Sequence, residues 1–139
     1  MGVMMGELGQ IRPGLTGAAE MTVSEAHTAV SMGSGKMPVL ATPAVVALME
    51  AAAQRAVEAS LPPGQQSVGT RLDIRHDGAT PVGMRVVATA ELMGIEGRNL
   101  TFRVSVRDEK EAIAEGMHVR AVSSVAAFDR LLRQKMKRS

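Results

Sequence analysis

The segment "LATPAVVALMEAAA", Leu40–Ala53, limits the possible folds of this chain more than any other part of the sequence. It predicts a helix start, because Thr42 is a favourable N-cap and Pro43 suits the first helical position. Apart from Glu50, its residues are apolar or small on every side, which is typical of a buried helix. The sequence therefore predicts one long central helix over about 42–59, with alanines that allow a close neighbour.

The segments after this helix have the composition and alternation of β-strands. Four strands separated by short turn sequences are predicted, at 67–76, 84–93, 100–107 and 112–125. Such strands form an antiparallel meander, and a weaker alternation within 17–28 adds one more strand. A short closing helix is predicted at 125–136. Together these elements predict an α+β fold in which a curved antiparallel sheet wraps the helix. Pairing of exposed sheet edges would make the protein at least a dimer.

Length and composition limit the kinds of protein that this chain can be. A chain of 139 residues fits one domain, 1–139, with residues 1–16 as a loose N-terminal arm. The sequence has no Cys and no His/Asp/Glu cluster at ligand spacing, so we expect neither a disulfide nor a metal site. No apolar run approaches about 20 residues and no signal pattern is present, so we expect a cytoplasmic protein without a membrane span.

The high pI of about 9.5 comes from one end of the chain. Residues 129–139 form a basic C-terminal tail with five basic and one acidic side chain, whereas residues 1–128 have a small net negative charge. No aromatic side chain accompanies the basic groups, and a solvated helix end explains them. We therefore expect no nucleic-acid partner.

Glu50 is the one charge in the apolar part of the predicted helix, and an ionised carboxylate is rarely buried without a partner. On a helical wheel it borders a polar stripe formed in the later turns by Gln54, Arg55 and Glu58. It is therefore either a rim carboxylate that reaches solvent or a buried acid with a function, and helix geometry favours neither.

His76 and Gly69 lie in the first predicted strand after the helix. Alternation places His76 on one face with Val68, Thr70, Leu72 and Ile74. A histidine on such a face is more often structural than catalytic, although the end of a strand is a common position for a functional group. Gly69 marks either a bulge or a point where a ligand approaches the backbone.

Thr42 already has a role as an N-cap, although a helix N-terminus also suits an anion. It lies about 12 Å along the helix axis from Glu50. One substrate could contact both side chains only if it were elongated, or if the two came from different subunits.

Four segments between Leu40 and Phe128 together form a recognisable pattern: "ATPAVVALMEAAA", "GTRLDIRHDGATPVGMRVVATAEL", "EGRNLTFRVSV" and "EGMHVRAV". They resemble the hot-dog-fold acyl-CoA thioesterases, and most nearly their fluoroacetyl-CoA thioesterase-like branch. The resemblance implies a hot-dog fold and a homodimer with its active site at the subunit interface, and it leaves open a dimer of dimers. It implies no metal or organic cofactor, because coenzyme A is part of the substrate.

The resemblance also implies catalytic roles for Thr42, Glu50 and His76, and substrate binding by Gly69 and Arg120. Glu50 would act as a general base on water or attack the thioester carbonyl itself, and His76 of a neighbouring subunit would assist proton transfer. Thr42 would orient the water or the acyl group. Gly69 would offer its backbone to the thioester, and Arg120 would contact the phosphates of coenzyme A.

The function that the resemblance implies is hydrolysis of a short-chain acyl-CoA to the free acid and CoA. Family members specific for fluoroacetyl-CoA share an aromatic lid before the helix, whereas the corresponding segment "AVSMGSGKMPV" contains no aromatic residue. We therefore expect a different short acyl group. Two alternatives stay open, namely a non-catalytic acyl-CoA-binding module and an enoyl-CoA hydratase-like enzyme.

Overall fold

An antiparallel five-stranded sheet and a long helix packed on its inner face form the core of the fold. The computed structural model describes residues 8–138. In chain order the elements are β1 (Thr16–Thr22), a 3-10 turn (Glu25–His27), α1 (Ala29–Met32), α2 (Thr42–Glu58), β2 (Gln65–His76), β3 (Arg85–Glu96), β4 (Asn99–Arg107), β5 (Ala112–Ser124) and α3 (Val125–Lys137). The α+β class, the central helix, the five strands and the closing helix are confirmed.

The strand order in the sheet is β1-β3-β4-β5-β2, with antiparallel pairing throughout. The meander is confirmed for β3, β4 and β5, but the prediction that β2 pairs with β3 is wrong. Because β3 is already flanked by β1 and β4, β2 pairs only with β5 and forms an edge of the sheet. Helix α2 links the two edge strands, since it follows β1 and precedes β2 in the chain.

Helix α2 buries one side against the sheet and leaves the other open. Its buried residues are Ala44, Val45, Leu48, Met49, Ala52, Ala53, Ala56 and Val57. Gly17 of β1 lies so close to α2 that a Cβ there would clash with the backbone of Ala52 and Ala56, so small residues on both elements permit the contact. Pro43 and Ala47 are exposed, so the prediction that the helix is buried all round is wrong for the single chain, because the sheet covers only one side.

The predicted N-cap role of Thr42 is also wrong. Ala41 is the N-cap, and its carbonyl accepts hydrogen bonds from the backbone N–H groups of Ala44 and Val45. Thr42 is the first helical residue, and Pro43 follows it within the first turn. The Thr42 hydroxyl is thereby released from capping and lies against His76 instead.

A β-bulge in β2 changes which residues face the helix. The register with β5 shifts between Gly69 and Arg71, which leaves Thr70 without a partner residue. As a result Gly69 shares the inner face with His76, whereas Val68 points outward into a groove beside α3. The prediction that Val68 and Thr70 share a face with His76 is wrong, because one extra residue reverses the alternation.

The two ends of the described chain differ in their packing. Leu8 and Ile11 are buried in the core, so this part of the predicted loose arm is packed, while residues 1–7 lie outside the described residues. The basic tail belongs mainly to α3, and the side chains of residues 129–138 are all exposed. Within residues 8–138, no helix has the length and hydrophobicity needed to cross a membrane.

Candidate active site

Glu50 lies on α2 with its carboxylate against Gly69 of β2. Its side chain is 40% exposed, so it is neither a free surface group nor a fully buried one. A Cβ built on Gly69 would clash with Glu50 Oε2 and would come within 3.1 Å of His118 Cε1. The missing side chain of Gly69 therefore creates the space that the carboxylate occupies, which gives this glycine a role beyond flanking the bulge.

Arg120 of β5 supplies the positive charge nearest to that carboxylate. Its Nη1 lies 3.6 Å from Glu50 Oε2, and the residue is 5% exposed. Arg120 Nε donates to Ser67 Oγ at 2.8 Å, and Nη2 donates to the Ser67 carbonyl at 3.1 Å. These bonds hold the guanidinium inside the fold beside Glu50. In the single chain the guanidinium is therefore not open to the CoA phosphates, which are the ligand that the family resemblance implies for it.

His118 completes this group of residues, which we call the Glu50 cluster (Glu50, Gly69, His118 and Arg120). Its Nε2 lies 3.2 Å from Arg120 Nη1, and its Nδ1 lies 2.8 Å from the carbonyl oxygen of Arg71. Because a guanidinium can only donate, Nε2 must accept and Nδ1 must carry the proton. Burial lowers the pKa of His118, and the charge of Arg120 lowers it further, so the neutral imidazole is favoured.

Thr42 and His76 form a second group, which we call the Thr42–His76 pair. Thr42 Oγ1 and His76 Nδ1 are 2.7 Å apart, close enough for a strong hydrogen bond. The pair lines a cavity of about 300 Å³ beneath the loop that precedes α2. A hydroxyl and an imidazole in contact at the wall of a cavity can orient a bound water and exchange protons with it.

The pKa of His76 is lowered, mainly because burial disfavours the charged imidazolium. The backbone of Gly78 and the charge of Asp77 oppose this effect and are weaker. His76 Nε2 is buried and has no hydrogen-bond partner among residues 8–138. In the tautomer whose Nδ1–H donates to Thr42 Oγ1, Nε2 is the nitrogen that can accept a proton.

The two groups are separate within one chain. No hydrogen bond or ion pair joins Glu50 to His76 in the described part of the chain. Thr42 and Glu50 are eight positions apart on α2, which corresponds to about 12 Å along the helix. The structure thus brings Thr42 together with His76, and Glu50 together with Gly69 and Arg120. The same residues, 8–138, contain no group of three or more His, Asp or Glu arranged to hold a metal ion.

Ser67 and His118 were missed in the sequence. His118 and Arg120 are two positions apart in a strand, so their side chains share one face. This spacing could have indicated that His118 lies beside Arg120. Ser67 gave no such signal, because the bulge at Thr70 sets the phase of the first half of β2. Its bonds to Arg120 depend on the pairing of two strands that lie far apart in the chain.

Comparison with known proteins identifies the family. The fluoroacetyl-CoA-specific thioesterase family model matches residues 23–126, three quarters of the chain. The chain belongs to this family. A fluoroacetyl-CoA thioesterase of Streptantibioticus cattleyicolor is 45% identical over 97 residues, which cover 70% of each chain. The resemblance seen in the sequence is thereby confirmed.

The fold of this thioesterase family member is similar to several solved structures. A fluoroacetyl-CoA thioesterase structure has a TM-score of 0.83 at 37% identity and covers 90% of this chain and 97% of its own. A thioesterase superfamily member from Thermus thermophilus has a TM-score of 0.85 at 26% identity, with 91% and 94% covered. A hot-dog-like protein from Thermanaerovibrio acidaminovorans, 22% identical, has a TM-score of 0.85 and covers 97% of this chain and 98% of its own. The predicted hot-dog fold is confirmed.

Proposed function

We propose that this protein hydrolyses short-chain acyl-CoA thioesters to the free acid and CoA. The observation that carries the proposal is the half-buried Glu50 carboxylate, which lies against Gly69 with the buried guanidinium of Arg120 beside it. A thioester carbonyl needs a positioned base or nucleophile and a donor for the developing oxyanion. The proposed reaction needs no resident cofactor, because coenzyme A enters as part of the substrate.

The proposed active unit is a homodimer in which β2 of one chain pairs with β2 of the other. Two observations support it. β2 is an edge strand, so its outer backbone groups are available for pairing. The side of α2 that the sheet leaves open includes the apolar residues Pro43 and Ala47, which a second chain would cover.

This pairing would bring the two separate groups together. Gly69 and His76 are about 20 Å apart along β2, too far for one substrate carbonyl to contact both within one chain. Antiparallel pairing of two β2 strands about a twofold axis brings the end of one strand close to the first half of the other. His76 of one protomer would then approach Glu50 of its partner, and the site would combine Thr42 and His76 with the partner's Glu50 cluster.

In the proposed reaction, Glu50 either removes a proton from the attacking water or attacks the thioester carbonyl itself. The new C–O bond forms as charge develops on the carbonyl oxygen, toward which the Gly69 backbone N–H would donate. The C–S bond then breaks. If Glu50 acts as the base, the proton that it takes from water would pass through His76 to the departing thiolate. If Glu50 attacks the carbonyl, a water would hydrolyse the resulting acyl–Glu50 anhydride, and the proton that this water loses to His76 would go to the thiolate. Thr42 would hold His76 in orientation through their 2.7 Å contact. Arg120 would fix the position of the Glu50 carboxylate.

The direct test is release of CoA thiol from acetyl-, propionyl-, butyryl- and fluoroacetyl-CoA by the purified protein. A thiol-reactive chromophore is well suited, because the chain contains no Cys and contributes no background thiol. We expect turnover far above spontaneous hydrolysis for at least one substrate. Tight acyl-CoA binding without thiol release would overturn the proposal in favour of a binding module. Hydration of crotonyl-CoA without thiol release would overturn it in favour of a hydratase.

Gly69→Ala tests whether the position of the Glu50 carboxylate matters. The added methyl group would displace Glu50 Oε2, because the two would clash. A displacement of about 1 Å in a catalytic group can lower the rate about 100-fold, and we expect a loss of that order in kcat/KM. The measurement is thiol release under steady-state conditions, with thermal unfolding recorded to show that the variant is folded.

Gly94→Ala is the matched control for this variant. Gly94 also flanks a β-bulge, in β3, and a Cβ there would have no heavy atom within 4 Å apart from its immediate neighbours. We expect the Gly94 variant to keep the parent kcat/KM. Equal activities for the two alanine variants would show that the contact between Gly69 and Glu50 has no part in the reaction.

A further inference from the structure

The cavity beside the Thr42–His76 pair has a volume of about 300 Å³ and opens to solvent. The loop that precedes α2 forms one wall and contributes Lys36 and Met37, both exposed. Neither Phe102 nor Phe128, the two aromatic residues of the chain, lines the cavity.

The charges at the cavity leave one cation without a counterion. Lys36 and Asp77 both line it. Asp77 pairs with Arg75 at 3.0 Å, so its carboxylate has a cationic partner of its own. Lys36 forms no ion pair within residues 8–138. Among the described residues that line the cavity, Lys36 is therefore the cation available to pair with an anionic ligand, and its charge lies at the end of a long and flexible side chain.

The position of Lys36 in the cavity indicates which part of a bound thioester its charge would face. If the thioester carbon lies at His76, the acyl arm and the pantetheine arm lead away from it in different directions. The cavity of about 300 Å³, which is open to solvent, has room for a short acyl arm. The CoA phosphates lie at the far end of the pantetheine arm, so a cation that shares the cavity with His76 would face the acyl arm.

We propose that Lys36 binds a carboxylate at the far end of the acyl group, so that the preferred substrates are CoA thioesters of short dicarboxylic acids. This inference rests on the proposed thioesterase function and specifies its substrate class. A solvated lysine–carboxylate pair makes a modest contribution, so we expect about a fivefold preference in kcat/KM for the anionic substrate. Ser34 and Gly35 of the same loop also line the cavity, and their small size leaves room for the additional carboxylate.

The experiment compares acyl groups of equal length with and without the terminal carboxylate: succinyl- with butyryl-CoA and glutaryl- with valeryl-CoA. The rate of spontaneous hydrolysis is measured and subtracted for each. The variants are Lys36→Met, which keeps the side-chain length and removes the charge, and Lys36→Glu, which reverses it. Lys135→Met on the exposed face of α3 is the matched control.

We expect the parent and Lys135→Met to prefer the anionic member of each pair, Lys36→Met to have a ratio near one, and Lys36→Glu to prefer the neutral member. An unchanged ratio in Lys36→Met would overturn the inference while the thioesterase function stands. The same holds if Lys36→Met slows both members equally and this loss disappears with pantetheine thioesters, because Lys36 would then contact the phosphates. Absence of thiol release from every substrate would refute the thioesterase function itself.

Discussion

Glu50→Gln is expected to lower kcat for acyl-CoA hydrolysis about 1,000-fold, within the range typical of losing a general base. Glutamine keeps the shape of the side chain but can neither accept the proton of water nor attack the carbonyl. The substrate should still bind, because the substitution adds no heavy atom to the space beside Gly69. The measurement is kcat and KM for the best short acyl-CoA, and we expect the loss to appear in kcat.

Glu58→Gln on the same helix is the matched control for Glu50→Gln. Glu58 is exposed and accepts a hydrogen bond from Gln54, one turn earlier. Its substitution should leave kcat at the parent value. If Glu50→Gln hydrolyses as fast as Glu58→Gln, Glu50 takes no part in the chemistry. Thermal unfolding of both variants separates a catalytic effect from a folding defect, because Arg120 keeps its bonds to Ser67 when the Glu50 charge is removed.

His76→Ala is expected to lower kcat/KM about 100-fold or more, through loss of the group that transfers the proton. In the parent protein, burial lowers the pKa of His76 from its ordinary value of 6.5. The imidazole is therefore mostly neutral at pH 6.5, and the midpoint of the fall in kcat/KM that its protonation causes should lie below pH 6.5. His76→Ala should lack that acidic limb, which a purely structural histidine would not produce. His27→Ala, in the 3-10 turn, is the control.

A mixing experiment shows which subunit supplies His76. If each site takes Glu50 from one subunit and His76 from the other, a heterodimer of Glu50→Gln and His76→Ala chains has two different sites. One site contains both native residues, and the other contains both substitutions. Random exchange of subunits should therefore restore about a quarter of the parent activity. Mixtures that stay as inactive as the separate variants, once exchange is shown by mass spectrometry, would place Glu50 and His76 of a site on the same chain.

Much of the fold could be predicted because its helices and strands follow from patterns among neighbouring residues. The apolar run around Glu50 indicated the central helix, and period-two alternation indicated the strands that the structure contains. Strand order was not predictable in the same way. The residues of β2 do not indicate that its partner is β5. The pairing is decided by the rest of the sheet, since β1 and β4 occupy the positions on both sides of β3.

The candidate site was predictable as a set of residues and not as an arrangement. Thr42, Glu50, His76, Gly69 and Arg120 were selected from helix chemistry, strand position and family resemblance. Their catalytic and binding roles stay predictions that the variants above test. The hydrogen bond between Thr42 and His76 replaces an expected N-cap, and it depends on how the end of β2 packs beside the start of α2.

The sequence by itself determined the secondary structure, the α+β class and the family of this protein, because periodicity and motif spacing are properties of neighbouring residues. Only the tertiary structure decided that a bulge at Thr70 turns Gly69 inward, and that Ser67 and His118 hold Arg120 beside Glu50. Those contacts join β2 to β5, whose paired residues lie about fifty positions apart in the chain. No local pattern encodes such a distance, so the electrostatic setting of Glu50 emerged only from the packed fold.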